Sequence, residues 1–163
     1  MKVLGIDPGL RISGYAVVEQ QGRGLCVLDA GTIRPDINAS LSQRLEQLYL
    51  DAAGLLDEYH PDLVAVEELY AHYRHPRTAI LMGHARGVFL LAAARGGVDV
   101  CDFSATRVKK SLTGTGRAAK EQVQRAVKSQ LKLAQLPTPA DVADALAIAM
   151  CCINEKTREE LLI

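Results

Sequence analysis

No stretch of this 163-residue chain approaches about 18 uncharged apolar residues, so no membrane-spanning helix is expected. A signal-peptide layout is missing too, because Asp7 interrupts the first apolar run. There is no internal repeat, low-complexity tract or dividing linker. A single domain is therefore expected over residues 1–154, followed by a charged tail at 155–163. A chain of this size buries roughly 70% of its unfolded surface. The cysteines are few: Cys26, Cys101, Cys151 and Cys152. Three lie in apolar runs and the adjacent pair is poorly placed to chelate one metal ion. They read as reduced, mostly buried small hydrophobes of a cytoplasmic protein, and none reads as catalytic.

Net charge is also absent, with 19 Lys and Arg against 19 Asp and Glu. That balance conceals a strong asymmetry. Residues 1–68 hold 5 basic against 11 acidic side chains, residues 69–132 hold 12 against 3, and residues 133–163 hold 2 against 5. A basic block inside a neutral chain is either a solvated face or the footprint of a polyanion partner. The segment Ser104–Lys132 concentrates it, with Arg107, Lys109, Lys110, Arg117, Lys120, Arg125, Lys128 and Lys132 against Glu121 alone.

Four carboxylates stand at the ends of apolar runs. Asp7 closes Val3–Ile6, Glu67 closes Leu63–Val66, and Asp141 and Asp144 precede Ala145–Met150. Glu68 competes with Glu67, but Glu67 directly abuts its strand and shares a strand face with Ala65. Asp141 doubles as an ordinary helix-start acid after Thr138-Pro139, where a capping Thr, an N1 proline and the helix dipole would account for it. Asp144, one turn further in, has no such role and would be costly beside an apolar stripe unless paired or metal-bound. Four converging acids repel unless a hard divalent cation neutralises them, so the set reads as an oxygen-ligand Mg²⁺ site. A pair of such ions suits phosphodiester hydrolysis.

Strands are predicted over Lys2–Ile6, Ile12–Glu19, Leu25–Ile33, Leu63–Val66 and Val98–Phe103. Helices are predicted from Ser40 to Tyr59, Thr78–Arg95, Ser104–Leu112, Ala119–Lys132, and Thr138 to about Asn154. This order predicts an α/β fold with a mixed five-stranded sheet, an antiparallel meander followed by parallel strands, flanked by helices. The residues after Gly5-Ile6-Asp7-Pro8-Gly9 alternate as a strand does, which excludes a dinucleotide-binding turn. Thr78–Arg95 is apolar nearly all round, so it needs a second partner beyond the sheet, most simply a twofold mate.

Together these segments resemble the RuvC family of Holliday-junction resolvases. The resemblance rests on Gly5–Gly9, Ala65-Val66-Glu67-Glu68-Leu69-Tyr70, Gly83-His84-Ala85-Arg86-Gly87, Val108-Lys109, Lys120–Gln124 and Asp141–Ala147, and spans about residues 1–153. It implies a ribonuclease-H-like fold, a homodimer, and paired Mg²⁺-dependent nicks across a four-way DNA junction, with 5′-phosphate and 3′-hydroxyl ends. Two ions per site are implied, with Mn²⁺ a possible substitute, and the RuvA–RuvB branch-migration complex is the implied protein partner. Asp7, Glu67, Asp141 and Asp144 match the catalytic metal ligands, and Lys109 and Lys120 match lysines near the scissile strand. Tyr70 stands where the family commonly has Phe. Arg74 and Arg77, in the loop after Glu67, and Arg107, Lys110 and Arg117 are further candidate DNA contacts. Competing readings are a YqgF-type RNA nuclease, a sugar-kinase or actin-like ATPase, and a catalytically dead DNA-binding module. The Asp141-x-x-Asp144 pair, the single domain and the retention of all four acids argue against them in turn.

Overall fold

A computed structural model describes residues 1–22, 24–69 and 76–162. Three strands come first: β1 (Lys2–Asp7), β2 (Ser13–Gln21) and β3 (Gly24–Ile33). Then follow α1 (Leu41–Tyr59), β4 (Leu63–Glu67), α2 (Pro76–Arg95), β5 (Asp99–Phe103), α3 (Ala105–Thr113), α4 (Lys120–Gln130) and α5 (Ala140–Glu160). The sheet order is β3-β2-β1-β4-β5. β1–β2 and β2–β3 pair antiparallel, while β1–β4 and β4–β5 pair parallel, as the hydrophobic patterning predicts.

Alternation along the central strands divides the core into two layers. Val3, Ala16, Val18 and Ala65 face α3, α4 and α5. Leu4, Ile6, Val17, Val64 and Val66 face α1 and α2. Helix α1 begins as read: Ser40 caps it, accepting from the Gln43 amide, and Gln43 reaches back to complete a capping box. No helix among the described residues is long and apolar enough to cross a membrane.

Two differences from the sequence reading concern α5. Its N-cap is Pro139 rather than Thr138, with no side-chain cap bond. The helix also runs on to Glu160, through residues read as a charged tail. Thr157 donates to the Ile153 carbonyl and to Gln20, and Lys156 pairs with Glu159. These polar contacts carry the helix past its apolar stripe, so no hydrophobic period marks the extension.

Helix α5 lies unusually close to the sheet. From Ala145 to Ile153 every residue is buried. A Cβ on Gly5 would come within 2.3 Å of the Ala145 carbonyl oxygen, and one on Gly14 within 2.0 Å of the Asp141 carbonyl oxygen. Only glycine allows that approach, and the approach sets the first turn of α5 beside the end of β1.

A candidate acidic active site

Ile6 pairs with Val66 in parallel register, so Asp7 and Glu67 stand side by side at the next position. Both belong to the α5-facing set with Gly5 and Ala65. Asp7, Glu67 and Asp144 line one cavity of about 240 Å³, together with Lys109, Lys120 and an apolar wall that includes Val108, Val123 and Ile148. Asp141 does not line this cavity, although its charge bears on Asp7.

The site's electrostatics are those of acids crowded in a dry place. Burial, followed by the charges of Glu67, Asp144 and Asp141, raises the Asp7 carboxyl from its ordinary 3.8 to about 8; Lys120 opposes the rise. Burial, then Asp144, likewise pushes Glu67 up, while a hydrogen bond with Asp7, Lys120 and Lys109 pull it back. The Lys120 Nζ donates to Asp144 Oδ2 at 2.8 Å, and this bond raises the lysine's own pKa. Lys120 opens α4, 24 positions from Asp144, so only the fold brings the two together.

An all-oxygen set that holds a proton to offset its own repulsion fits a hard divalent cation. Asp7, Glu67 and Asp144 are the residues that would hold it, with Asp141 beside them. Among the described residues, no group of three or more His, Cys, Asp or Glu is already drawn to metal-binding distances. Binding there would displace the proton that burial and crowding hold on Asp7.

The basic candidates separate into different settings. Lys109 and Lys120 line the acidic cavity. Lys110 and Arg117 line a more open depression with Thr106 and the Gly114–Gly116 loop. Arg77 lies in a third groove, on the α1–α2 side. Arg107 is engaged within the chain: its guanidinium pairs with Glu155, reaches the Asp102 carbonyl and sits 4.7 Å from the centre of the Phe103 ring. That pairing joins α3 to α5 at a surface where half of the Arg107 side chain stays accessible. Tyr70 and Arg74 lie outside the described residues.

One residue that the sequence reading quoted without a role is placed at the site's edge. Arg86, on α2, donates from Nε to the Glu67 carbonyl at 3.1 Å and pairs with Asp102 on β5. It fixes the end of β4 from behind. Its partners are 19 and 16 positions away, which no local pattern discloses. The cysteines are all free, with Cys151 and Cys152 buried. Burial pushes their thiols up to about 11 and 12, which leaves them inert.

Comparison with known proteins gives the family of the chain. The family profile described as Crossover junction endodeoxyribonuclease RuvC matches residues 3–152. A Crossover junction endodeoxyribonuclease RuvC from Rhodopirellula baltica is 52% identical over 149 residues, covering 91% of this chain and 84% of the relative. The protein of the same description from Heliobacterium modesticaldum is 45% identical, covering 96% of each. Among solved structures, Thermus thermophilus RuvC in complex with Holliday junction substrate superposes with a TM-score of 0.93 at 34% identity, covering 98% of this chain and 96% of that one. The yeast mitochondrial Holliday junction resolvase Ydc2, 12% identical with a TM-score of 0.72, shares the fold, covering 98% of this chain and 80% of its own. With a profile match over residues 3–152 and a relative 52% identical over 91% of its length, this chain belongs to the RuvC family of crossover junction endodeoxyribonucleases.

Proposed function

We propose that this protein resolves four-way DNA junctions by hydrolysing one phosphodiester on each of two opposed strands. The observation that carries the reading is the cavity itself: Asp7, Glu67 and Asp144 share it with Lys109 and Lys120. Divalent ions, two per site, would be held by Asp7, Glu67 and Asp144 with Asp141 beside them, and would supply the charge that phosphodiester hydrolysis requires. Mg²⁺ is the expected ion, with Mn²⁺ a possible substitute. The protein's own groups do the rest. Lys109 and Lys120 draw the scissile phosphate toward the carboxylates, and Lys120 also orients Asp144. Arg86 holds the backbone of Glu67. The apolar wall limits competing water. Lys110, Arg117 and the Gly114–Gly116 amides extend the cationic surface along the strand.

The direct test incubates purified protein with a synthetic four-way junction and Mg²⁺, followed by a denaturing gel. Symmetric paired nicks are the expected result, with 5′-phosphate and 3′-hydroxyl ends. Absence of nicks over several junction sequences, together with cleavage of structured RNA, would overturn the proposal. Lys120→Ala is expected to flatten the dependence of log affinity on log salt by about one, the worth of one phosphate contact.

Paired cuts call for two copies related by a twofold axis. Helix α2 offers a face for this: Ile80, His84, Gly87, Leu91 and Ala94 recur at helical spacing and are exposed, with Ile80 62% and Leu91 54% accessible. A second copy that packs α2 on α2 would cover this stripe. Light scattering at micromolar concentration is expected to give a dimer mass for the wild type and a monomer mass for Leu91→Glu. A monomeric wild type would count against this interface. The RuvA–RuvB complex is the partner proposed to deliver junctions, and the reducing cytoplasm is the compartment that suits four free cysteines and a DNA substrate.

A further inference from the structure

The acidic first part of the chain contains two arginines that the charge-block reading passes over. Arg11 and Arg44 line a groove of about 670 Å³ with Arg77, and among the described residues no carboxylate lines it. The groove lies between the turn joining β1 to β2, the start of α1 and the start of α2. That turn begins two residues after Asp7 and is pinned. The fully buried Ser13 hydroxyl donates to the Gly9 carbonyl at 2.6 Å and accepts from the Gly9 amide, and Arg44 Nη2 donates to the Leu10 carbonyl at 2.6 Å.

Three guanidiniums that line one groove repel one another, and none of them forms a salt bridge among the described residues. Arg44 Nε is buried without a hydrogen-bond partner, so a side chain at the groove has an unused donor. Arg11 and Arg77 are exposed. Leu10 and Leu81, neighbours in the groove, belong to the apolar layer under α1 and α2. Lys109 and Lys120 stand on the opposite side of the sheet, on helices packed into the other layer. The two cationic sets therefore lie on opposite faces of the sheet, and both reach the end of β1, which carries Asp7.

We propose that the Arg11–Arg44–Arg77 groove is a second track for the DNA backbone, taking a phosphodiester on the far side of the acid cavity from Lys109 and Lys120. Guanidinium suits this ligand, since its planar fork meets two phosphate oxygens at once. The pinned turn links the track to the chemistry, because the segment that carries Arg11 begins where β1 delivers Asp7. A strand held on both sides of the cavity is aligned across the acids, whereas one wall alone would tether it and leave it free to swing.

This inference rests on the junction-binding reading above, and the experiment separates the two. Anisotropy of a labelled four-way junction would be measured with chelator present, at several salt concentrations, for wild type, Lys120→Ala, Arg11→Ala, Arg77→Ala and the Arg11→Ala/Arg77→Ala double variant. Arg44 also holds the turn, so the test relies on its two exposed neighbours. Each single arginine variant is expected to bind several-fold more weakly and to flatten the salt slope by about 0.9, and the double variant by about 1.8. Melting temperatures are expected to match wild type, and the losses to be equal on junctions of different sequence, as phosphate contacts require. Wild-type slopes in both arginine variants, beside a flattened slope in Lys120→Ala, would overturn the second track alone. Losses that vary with junction sequence would also overturn it. A wild-type protein that fails to bind junctions would overturn both readings.

Discussion

Asp7→Asn is expected to lose junction cleavage by at least about 1,000-fold, equivalent to roughly 4 kcal/mol of transition-state stabilisation, while retaining junction binding and making the metal-free protein more stable at neutral and alkaline pH. The gain in stability is the more discriminating half of this result. Asp7 in the folded protein holds its proton up to about pH 8, against 3.8 ordinarily. The folded state therefore binds more protons than the unfolded state between those values, and stability falls as pH rises through that window. Asparagine, neutral throughout, escapes the loss. In chelator the two proteins should differ least near pH 4, and the gap should widen up to about pH 8 in favour of the variant. At about 1.4 kcal/mol for each tenfold change in proton affinity, the rise from 3.8 to about 8 caps the gap at about 6 kcal/mol. Relaxation around the site brings the expected value to a few kcal/mol. Urea denaturation at pH 4, 6, 8 and 9 measures it. A gap that does not change with pH would sink the account. As an independent readout, Mg²⁺ added to wild type at pH 7 in weak buffer is expected to release close to one proton, and the variant close to none.

The second large effect is expected at a buried residue outside the acid cavity. Gly14→Ala would place a methyl group 2.0 Å from the Asp141 carbonyl oxygen, so the first turn of α5 must move. Overpacking of this kind costs about 1–3 kcal/mol. Displacing Asp141 and Asp144 by about 1 Å is expected to cost roughly 100-fold in nicking. Gly54→Ala is the matched control: it lies inside α1 with nothing within 4 Å of the added Cβ. It is expected to raise stability by about 1 kcal/mol through helix propensity and to leave nicking unchanged. Thermal melts and single-turnover nicking of both variants decide the matter. Full activity in Gly14→Ala would show that the close approach of α5 is not what sets the acids.

These two sites mark the division between what the sequence disclosed and what it withheld. Asp7 and Glu67 were legible because each terminates a short apolar strand, and strand alternation puts both on one face. The mixed sheet was legible for the same reason, since apolar runs and turn residues punctuate the chain cleanly. The Lys120–Asp144 bond was not, because the angle at which α4 meets α5 has no local signature. The pairing of Arg107 with Glu155, 48 positions away, has no local signature either. Glu155 falls in the charged end of the chain, where no apolar period announces the helix that carries it. Arg11 and Arg44 were hidden in the opposite way, inside a stretch whose charge balance is acidic.

Helix α5 touches all five strands and both α3 and α4, and that position has a consequence for motion. Amide exchange from the core of such a helix proceeds only through openings close to global unfolding. The buried run Ala145–Ile153 that follows Asp144 is thus expected among the slowest-exchanging amides of the molecule, together with β1 beneath Asp7. The lysines that face them sit on α3 and α4, shorter helices at the rim. Junction arms would then strain and reorient those helices before moving the backbone that carries Asp7 and Asp144, and the frame of the proposed site is expected to be insulated from the flexing of its own substrate.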